Sequence, residues 1–380
     1  MLSFIPFNKP MITEEEVSAV CEVLRSGWLT TGPKTTEFEQ KMCDYVGGNL
    51  SAVALSSCTA GLFLALKALE IGPGDEVIVP ALTFIATSHV VKWCGAELKM
   101  CDINPADFNI DCDRLEAMIT EKTRAIIPVH VAGYPCDLNR IEQMVKGKNI
   151  AIIQDAAHAA GSTYYGDIIG GQGDCSVFSF YATKNIACGE GGMLLSPDAE
   201  FAEKVRKLMY FGIDKQAFQR YSEKGSWFYD VTGIGYKFNL DDLHSAIGIV
   251  QLERLNKMNE RRREIASFFR KNLHESFIFP DYNPAHGMNW HLFALRMPEG
   301  KNRDQFLNNM KSDGIGCSVH FIPLYRHSCY ADSFPKADFP QTEAVYQGLF
   351  SLPLYPTMTD AEVETVVETA NKILLTYDSF

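Results

Sequence analysis

The chain has 380 residues, enough for two or three domains and for a large core that needs no disulfide or metal staple. Apolar residues make up 46% and charged residues 22%, which excludes a disordered chain, and 35 Lys+Arg against 47 Asp+Glu leave a net charge of −12, which excludes a bulk electrostatic footprint for nucleic acid or an anionic membrane. The 11 cysteines include no CxxC pair, so neither a zinc ribbon nor a thioredoxin-type motif is supported and no metal site is expected.

The opening MLSFIPFNKP lacks a basic region followed by a long apolar one, so no secretory signal is expected. No run reaches the ~18 apolar residues of a membrane span. A cytoplasmic chain with reduced thiols is the expectation. From about residue 51 to 196, short β-branched or aliphatic runs alternate with helical patterns. Strands are expected at AVALS (52–56), EVIVPA (76–81), ELKMCDI (97–103), RAIIPVHV (124–131), IAIIQD (150–155), SVFSFY (176–181) and GGMLLS (191–196). Helices are expected at 59–71, 84–94, 113–119 and 138–146, and a hairpin at 164–174. Strands alternating with helices of this length predict βαβ units and a mostly parallel sheet covered on both faces.

After Asn239 the pattern changes. Residues 240–273 predict one or two long amphipathic helices, and the last part a smaller α+β unit. That unit has strands at 289–297 and 316–323, a helix at 303–314, and a final helix over 359–375. Thr359 is the expected N-cap of this last helix, with Glu362 as its capping-box partner. The domain division expected is 1–250 for a large α/β domain and 251–380 for a small C-terminal α+β domain.

In open α/β sheets ligands bind beyond the carboxyl ends of the strands, so the residues just after each strand matter most. At Ser56–Gly61 a strand passes into a helix; Ser57 and Thr59 either cap that helix or, with its free N–H groups, receive a phosphate. Asp155 ends an apolar strand, where a carboxylate is costly unless a cation or donor meets it, and His158 follows three residues later. Read alone, Asp155 is equally a helix cap. Lys184 follows another apolar strand and precedes Gly189, Gly191 and Gly192; it is either a loop lysine or a buried amine with a lowered pKa, competent as a nucleophile toward a carbonyl. Phe84, past a third strand, fits an ordinary core aromatic as well as a ring-stacking one.

Taken together the four places match one cofactor. Pyridoxal phosphate needs an amine for its aldehyde, an acid at its ring nitrogen, phosphate donors and a flat apolar neighbour. Lys184, Asp155, the 56–61 loop with Ser179, and Phe84 supply them.

The residues that carry this match also resemble the DegT/StrS-type family of pyridoxal-phosphate-dependent sugar aminotransferases, which have the fold-type-I architecture. The matching stretches include SGWLTTGP (26–33), SSCTAG (56–61), GPGDEVIVPALTFIAT (72–87), PVHVAGYPCD (128–137), QDAAHAAG (154–161), FSFYATKNIACGEGGM (178–193), GYKFNLDDLHSAIGIVQL (235–252), VHFIPLY (319–325) and SLPLYP (351–356). Two branches look most similar: one makes spore-coat polysaccharide precursors, the other 4-amino-4-deoxy-arabinose on a uridine nucleotide.

The resemblance implies transamination of a nucleotide-linked 4-keto sugar, with L-glutamate as donor and 2-oxoglutarate as its product. A 3-keto sugar and a regulatory, non-catalytic role are the alternatives. Lys184 would bond the cofactor and shuttle the proton, and Asp155 would pair with the ring nitrogen. His158 would lie near the phenolic oxygen, Phe84 on the ring, and Ser57, Cys58 (by its backbone), Thr59 and Ser179 around the phosphate. Asn239 would reach the neighbouring subunit's cofactor, making a homodimer part of the site. Trp28, Thr30, Thr31 and His320 would lie toward the sugar. Segment 214–232 would form a loop over the site or a plain solvated loop, with Arg220, Lys215 and Lys224 available to a diphosphate. Relatives with histidine in place of the lysine are dehydratases, and this chain keeps Lys184. A dehydrogenase reading would need GxGxxG after the first strand, where SSCTAG stands instead. A desulfurase reading would need a reactive cysteine on a loop, and Cys188, the nearest to Lys184, reads as a packing residue.

Overall fold

Short runs buried on both faces form the centre of the molecule, a computed structural model describing residues 4–213 and 228–376. Every run expected as a strand between residues 51 and 196 forms one. These are β1 (Ser51–Leu55), β2 (Glu76–Pro80), β3 (Glu97–Cys101), β4 (Thr123–Ile126), β5 (Ala151–Asp155), then after the small hairpin β6 (Thr163–Tyr164) and β7 (Asp167–Ile168), β8 (Cys175–Ser179) and β9 (Gly192–Ser196). They form a seven-stranded sheet in the order β1-β9-β8-β5-β4-β2-β3. All neighbours are parallel except β9, which runs antiparallel to both β1 and β8.

Alternate residues point to opposite faces, and both faces are apolar. Ile78, Ile126, Ile152 and Phe178 face one cluster. Val77, Val79, Ile153 and Val177 face the other. Helix α1 (Glu14–Ser26) packs on the long helix of residues 242–272, and helices cover each face of the sheet: α2 (Pro33–Val46), α3 (Cys58–Ala68), α4 (Ile85–Trp93), α5 (Cys112–Met118), α6 (Leu138–Val145) and α7 (Ala199–Met209). Phe38 and Met42 of α2, Leu115 of α5 and Ile141 of α6 fill the first cluster. Leu62 of α3, Val90 of α4 and Val205 of α7 fill the second.

The long pattern after Asn239 is a single helix, α8 (Asp242–Asn272). Its first half supplies Ile249, Leu252 and Leu255 to the sheet core. Its second half supplies Ile265, Ala266 and Phe269 to a separate C-terminal core. Residue 250 therefore falls inside one continuous helix shared by two cores. The C-terminal core is built on an antiparallel pair, β10 (Phe293–Arg296) and β11 (Leu349–Leu352), with α9 (Arg303–Ser312), α10 (Pro340–Gly348) and α11 (Asp360–Thr376) around it. The N-terminus joins this core: Ile5 N–H donates to Gly314 O (2.8 Å) and Gly316 N–H to Ile5 O (2.8 Å).

The strand expected over 316–323 does not form. Only Ser318 pairs, in an isolated bridge with Ser351, because the next residues turn toward the large sheet, where Leu324 N–H donates to Ala81 O (2.9 Å). The capping box of α11 is present: Thr359 N–H donates to Glu362 Oε2 (2.8 Å) and Glu362 N–H to Thr359 Oγ1 (3.2 Å). Thr359→Ala is expected to lower stability by about 1 kcal/mol, read as a shifted urea midpoint with unchanged slope.

Candidate active site

Asp155 stands at the carboxyl end of β5 and is 5% exposed. Its charge is met from three sides: Thr87 Oγ1 donates to Oδ2 (2.9 Å), Ala157 N–H to Oδ1 (3.2 Å), and the Cys58 thiol lies 3.8 Å from Oδ1. Burial pushes the Asp155 carboxyl above its usual range, and these donors with nearby Lys184 pull the other way. Thr87 reaches it because Phe84 and Thr87 stand one turn apart at the start of α4, just past β2.

Next to Asp155 the first turn of α3 opens toward the same space. Ser57 is its N-cap and accepts from Ala60 N–H (3.0 Å), so the cap reading holds and leaves the phosphate reading compatible with it. Gly192, the first residue of β9, packs on this turn so closely that an added Cβ would stand 2.4 Å from Ser57 C and 2.5 Å from Cys58 N. Only glycine lets β9 approach there.

Lys184 lies in the turn after β8, its N–H donating to Tyr181 O (2.8 Å). Its side chain borders a cavity of about 560 Å³. Protein encloses the amine elsewhere, and this burial lowers its pKa to about 8, against the upward pull of Asp155 and Cys58. The amine is thus largely neutral above that pH. The rate at which the apoprotein captures a small aldehyde is expected to rise with pH and level off above about 8; a rate still climbing toward the ordinary lysine value of 10.5 would show an unperturbed amine.

The cavity gathers Ser57, Cys58, Thr59, Phe84, Asp155, His158, Ser179, Lys184 and His320, nine of the residues singled out in the sequence. Phe84 keeps 57% of its surface exposed, with its ring 5.9 Å from that of Phe321. His158 is buried and neutral, its pKa held well below the usual value by burial. His320 Nδ1 lies 3.1 Å from Ser351 Oγ, and burial lowers its pKa to about 4.

Four residues lie apart from this wall. Asn239 Nδ2 donates to Thr31 Oγ1 (2.6 Å), Trp28 Nε1 to Thr31 O (3.1 Å), and Asp242 N–H to Thr30 O (3.3 Å). The Asp242 carboxylate fixes that loop by accepting from Gly32 N–H (2.8 Å) and Thr35 N–H (2.9 Å). Arg220, Lys215 and Lys224 lie outside the described residues. Sequence reasoning missed Thr87, Phe7, Asn8, Phe321 and His291. Thr87 had a signal in its spacing from Phe84, and Phe321 in the VHFIPLY stretch beside His320; Phe7, Asn8 and His291 come from distant segments and had none.

These residues fit pyridoxal phosphate. An amine whose pKa is lowered to about 8, a buried carboxylate and a helix N-terminus beside hydroxyl donors face one cavity, as an aldehyde, a ring nitrogen and a phosphate require. Among the described residues no cluster of three or more His, Cys, Asp or Glu is arranged to hold a metal ion, and no helix is long and apolar enough to cross a membrane.

The profile of the DegT/DnrJ/EryC1/StrS aminotransferase family matches residues 10–371. The chain belongs to this family. Over 379 residues the aminotransferase is 44% identical to the spore coat polysaccharide biosynthesis protein SpsC of Bacillus subtilis (strain 168), covering 98% of this chain and 97% of the relative. The putative sugar aminotransferase Spr1654 from Streptococcus pneumoniae, solved in PMP and PLP forms, superposes with a TM-score of 0.92 at 35% identity, covering 98% of this chain and 99% of that one. Helicobacter pylori PseC, an aminotransferase involved in the biosynthesis of pseudoaminic acid, superposes with a TM-score of 0.91 at 27% identity over the full length of both chains. The sheet described above is accordingly that of a fold-type-I aminotransferase, with a small C-terminal α+β part.

Proposed function

We propose that this aminotransferase moves an amino group from L-glutamate to C4 of a nucleotide-linked 4-keto sugar, in the biosynthesis of a surface polysaccharide. The observation that carries the reading is one cavity holding a neutral-leaning lysine, a buried aspartate and an open helix N-terminus. Pyridoxal phosphate is the cofactor. When bound, it supplies an electron sink that stabilises negative charge on the substrate carbon next to the nitrogen.

The protein's own residues do the rest. Lys184 Nζ, in its neutral form, takes a proton from the donor's α-carbon and later delivers one to the sugar carbon from a fixed side, which sets the stereochemistry. Asp155, oriented by Thr87 and Ala157, holds the proton on the cofactor's ring nitrogen. His158 addresses the phenolic oxygen and Phe84 the ring face. Ser57, Thr59 and Ser179 hydroxyls, with the Cys58 N–H, hold the phosphate. His320 contacts the sugar. In a homodimer, Asn239 of the partner subunit completes the phosphate site, and Trp28, Thr30, Thr31 and Arg220 contribute to sugar and nucleotide binding.

Assignment to polysaccharide biosynthesis is supported by the likeness to the spore coat polysaccharide biosynthesis protein SpsC, and assignment to C4 by the motif resemblance to the two branches named from the sequence. The test is a panel of UDP-, dTDP- and GDP-linked 4-keto and 3-keto sugars incubated with glutamate and scored by product mass. An amino product from a 4-keto sugar is expected. Product from 3-keto sugars alone would overturn the C4 assignment, and no amino sugar from any of them would overturn the substrate class.

A further inference from the structure

His291 is 4% exposed and lies on the segment leading into β10, far in sequence from every strand-end motif, yet it lines the same cavity as Lys184. Its ring packs on His158 with centroids 4.3 Å apart and a 35° tilt. Phe321 packs on His158 as well, at 5.7 Å and 22°. His158 has no polar anchor of its own at Nδ1, which is buried without a hydrogen-bond partner among the described residues. Its orientation therefore depends on the rings around it.

The His291 ring is fixed by hydrogen bonds. Asn185, the residue after Lys184, has its Nδ2 committed as a donor to Asn259 Oδ1 (2.7 Å) and to the backbone carbonyl of Asn289 (3.3 Å). A carbonyl only accepts, so the side-chain oxygen of Asn185 is the atom turned toward His291. It lies 2.9 Å from His291 Nδ1. The proton of His291 must then sit on Nδ1, which makes its Nε2 an acceptor. Asn289 holds the backbone on both sides: its Nδ2 donates to His158 O (2.8 Å) and Ala160 O (2.9 Å), and its Oδ1 accepts from His291 N–H (3.0 Å). Burial, with Lys184, His158, Arg262 and His320 nearby, keeps His291 neutral.

We propose that His291 is a positioning residue: locked as the Nδ1–H tautomer by Asn185, it holds the His158 ring in the plane from which His158 addresses the cofactor's ring oxygen. The same lock ties the Lys184 turn to His158, since Asn185 belongs to that turn. The inference rests on pyridoxal phosphate binding in this cavity.

The test uses full-length protein and pyridoxal phosphate. His291→Phe keeps a ring but cannot donate to Asn185, and His291→Gln keeps a donor without the ring. For His291→Phe, cofactor affinity measured by absorbance titration of the apoprotein is expected to weaken about tenfold, the fold-change of one ordinary hydrogen bond. The pH midpoint of the bound cofactor's visible absorption should move, and kcat should fall while KM for glutamate stays within about twofold. His291→Gln should recover part of the affinity. Thermal midpoints of the apoproteins show whether each variant is folded; if His291→Phe is not, Asn185→Ala carries the same expectation. A wild-type protein with no cofactor band overturns the cofactor reading itself. A wild-type band that is unchanged in affinity and pH midpoint in folded His291→Phe overturns the role of His291 alone.

Discussion

Lys184→Ala is expected to abolish turnover while leaving the fold intact. Proton transfer by a positioned side chain contributes ~10²–10⁴-fold, and here one amine both takes and returns the proton, so the loss applies in each half of the reaction. The fold should survive because the amine is poorly solvated: burial already lowers its pKa to about 8, and removing it deletes a group that the surroundings disfavour in charged form. The measurement is glutamate-dependent amino-sugar formation beside a thermal melt. A small added amine is expected to restore part of the rate. Full activity without one would rule out the assignment.

Asp155→Asn should leave a protein that binds cofactor but turns over at least ~10²-fold more slowly, the scale of losing one preorganised electrostatic partner. An amide is nearly the same shape, and Ala157 N–H can still donate to its oxygen, so the end of β5 should keep its position. The charge is what changes. Because Asp155 pulls the Lys184 pKa upward, its removal should shift the pH dependence of aldehyde capture below the wild-type midpoint of about 8. A variant with near-normal turnover, or with an unshifted capture profile, would count against the electrostatic pairing of these two residues.

The large sheet was legible because each strand is a short, fully buried run bounded by turn residues, and all seven runs found between residues 51 and 196 became strands within one or two residues at most ends. Strand 124–131 was the exception: the continuous ladder stops at Ile126, and beyond Pro128, which has no N–H, only an isolated bridge of Val129 with Asp155 continues it. Helices α1 and α2 escaped notice because their inward faces are partly polar. The buried residues of α1 are Glu16 and Val23, with Glu16 bonded to Gln251 Nε2 (2.6 Å), a contact no periodicity announces. The four-residue β11 is too short to separate from the coil around it.

In the site, the residues that could be read were those that end strands: Asp155, Lys184, Ser57 and Phe84. Their chemistry is local, a charge or cap where an apolar run stops. His291 could not be read, since its meaning lies in packing against residues more than a hundred positions away. The cluster of Trp28, Thr31 and Asn239 shows the middle case: the motifs were visible, and only the three-dimensional structure joins them through Thr31.

The N-terminal segment has a consequence for how the chain is made. Ile5 precedes the whole large sheet in the chain, but its bridge partner, Ile315, follows it. Between them, Asn8 Nδ2 donates to Thr183 O (3.2 Å), beside Lys184, and Met11 O accepts from Gln251 Nε2 (2.7 Å) on α8. Residues 5–11 must therefore wait undocked until these later segments are made, and their contacts are expected among the last non-local ones to form. That closing seam joins the C-terminal core, the lysine turn and the long helix, so nascent chains halted before residue 315 should hold a formed sheet with Ile5 still undocked.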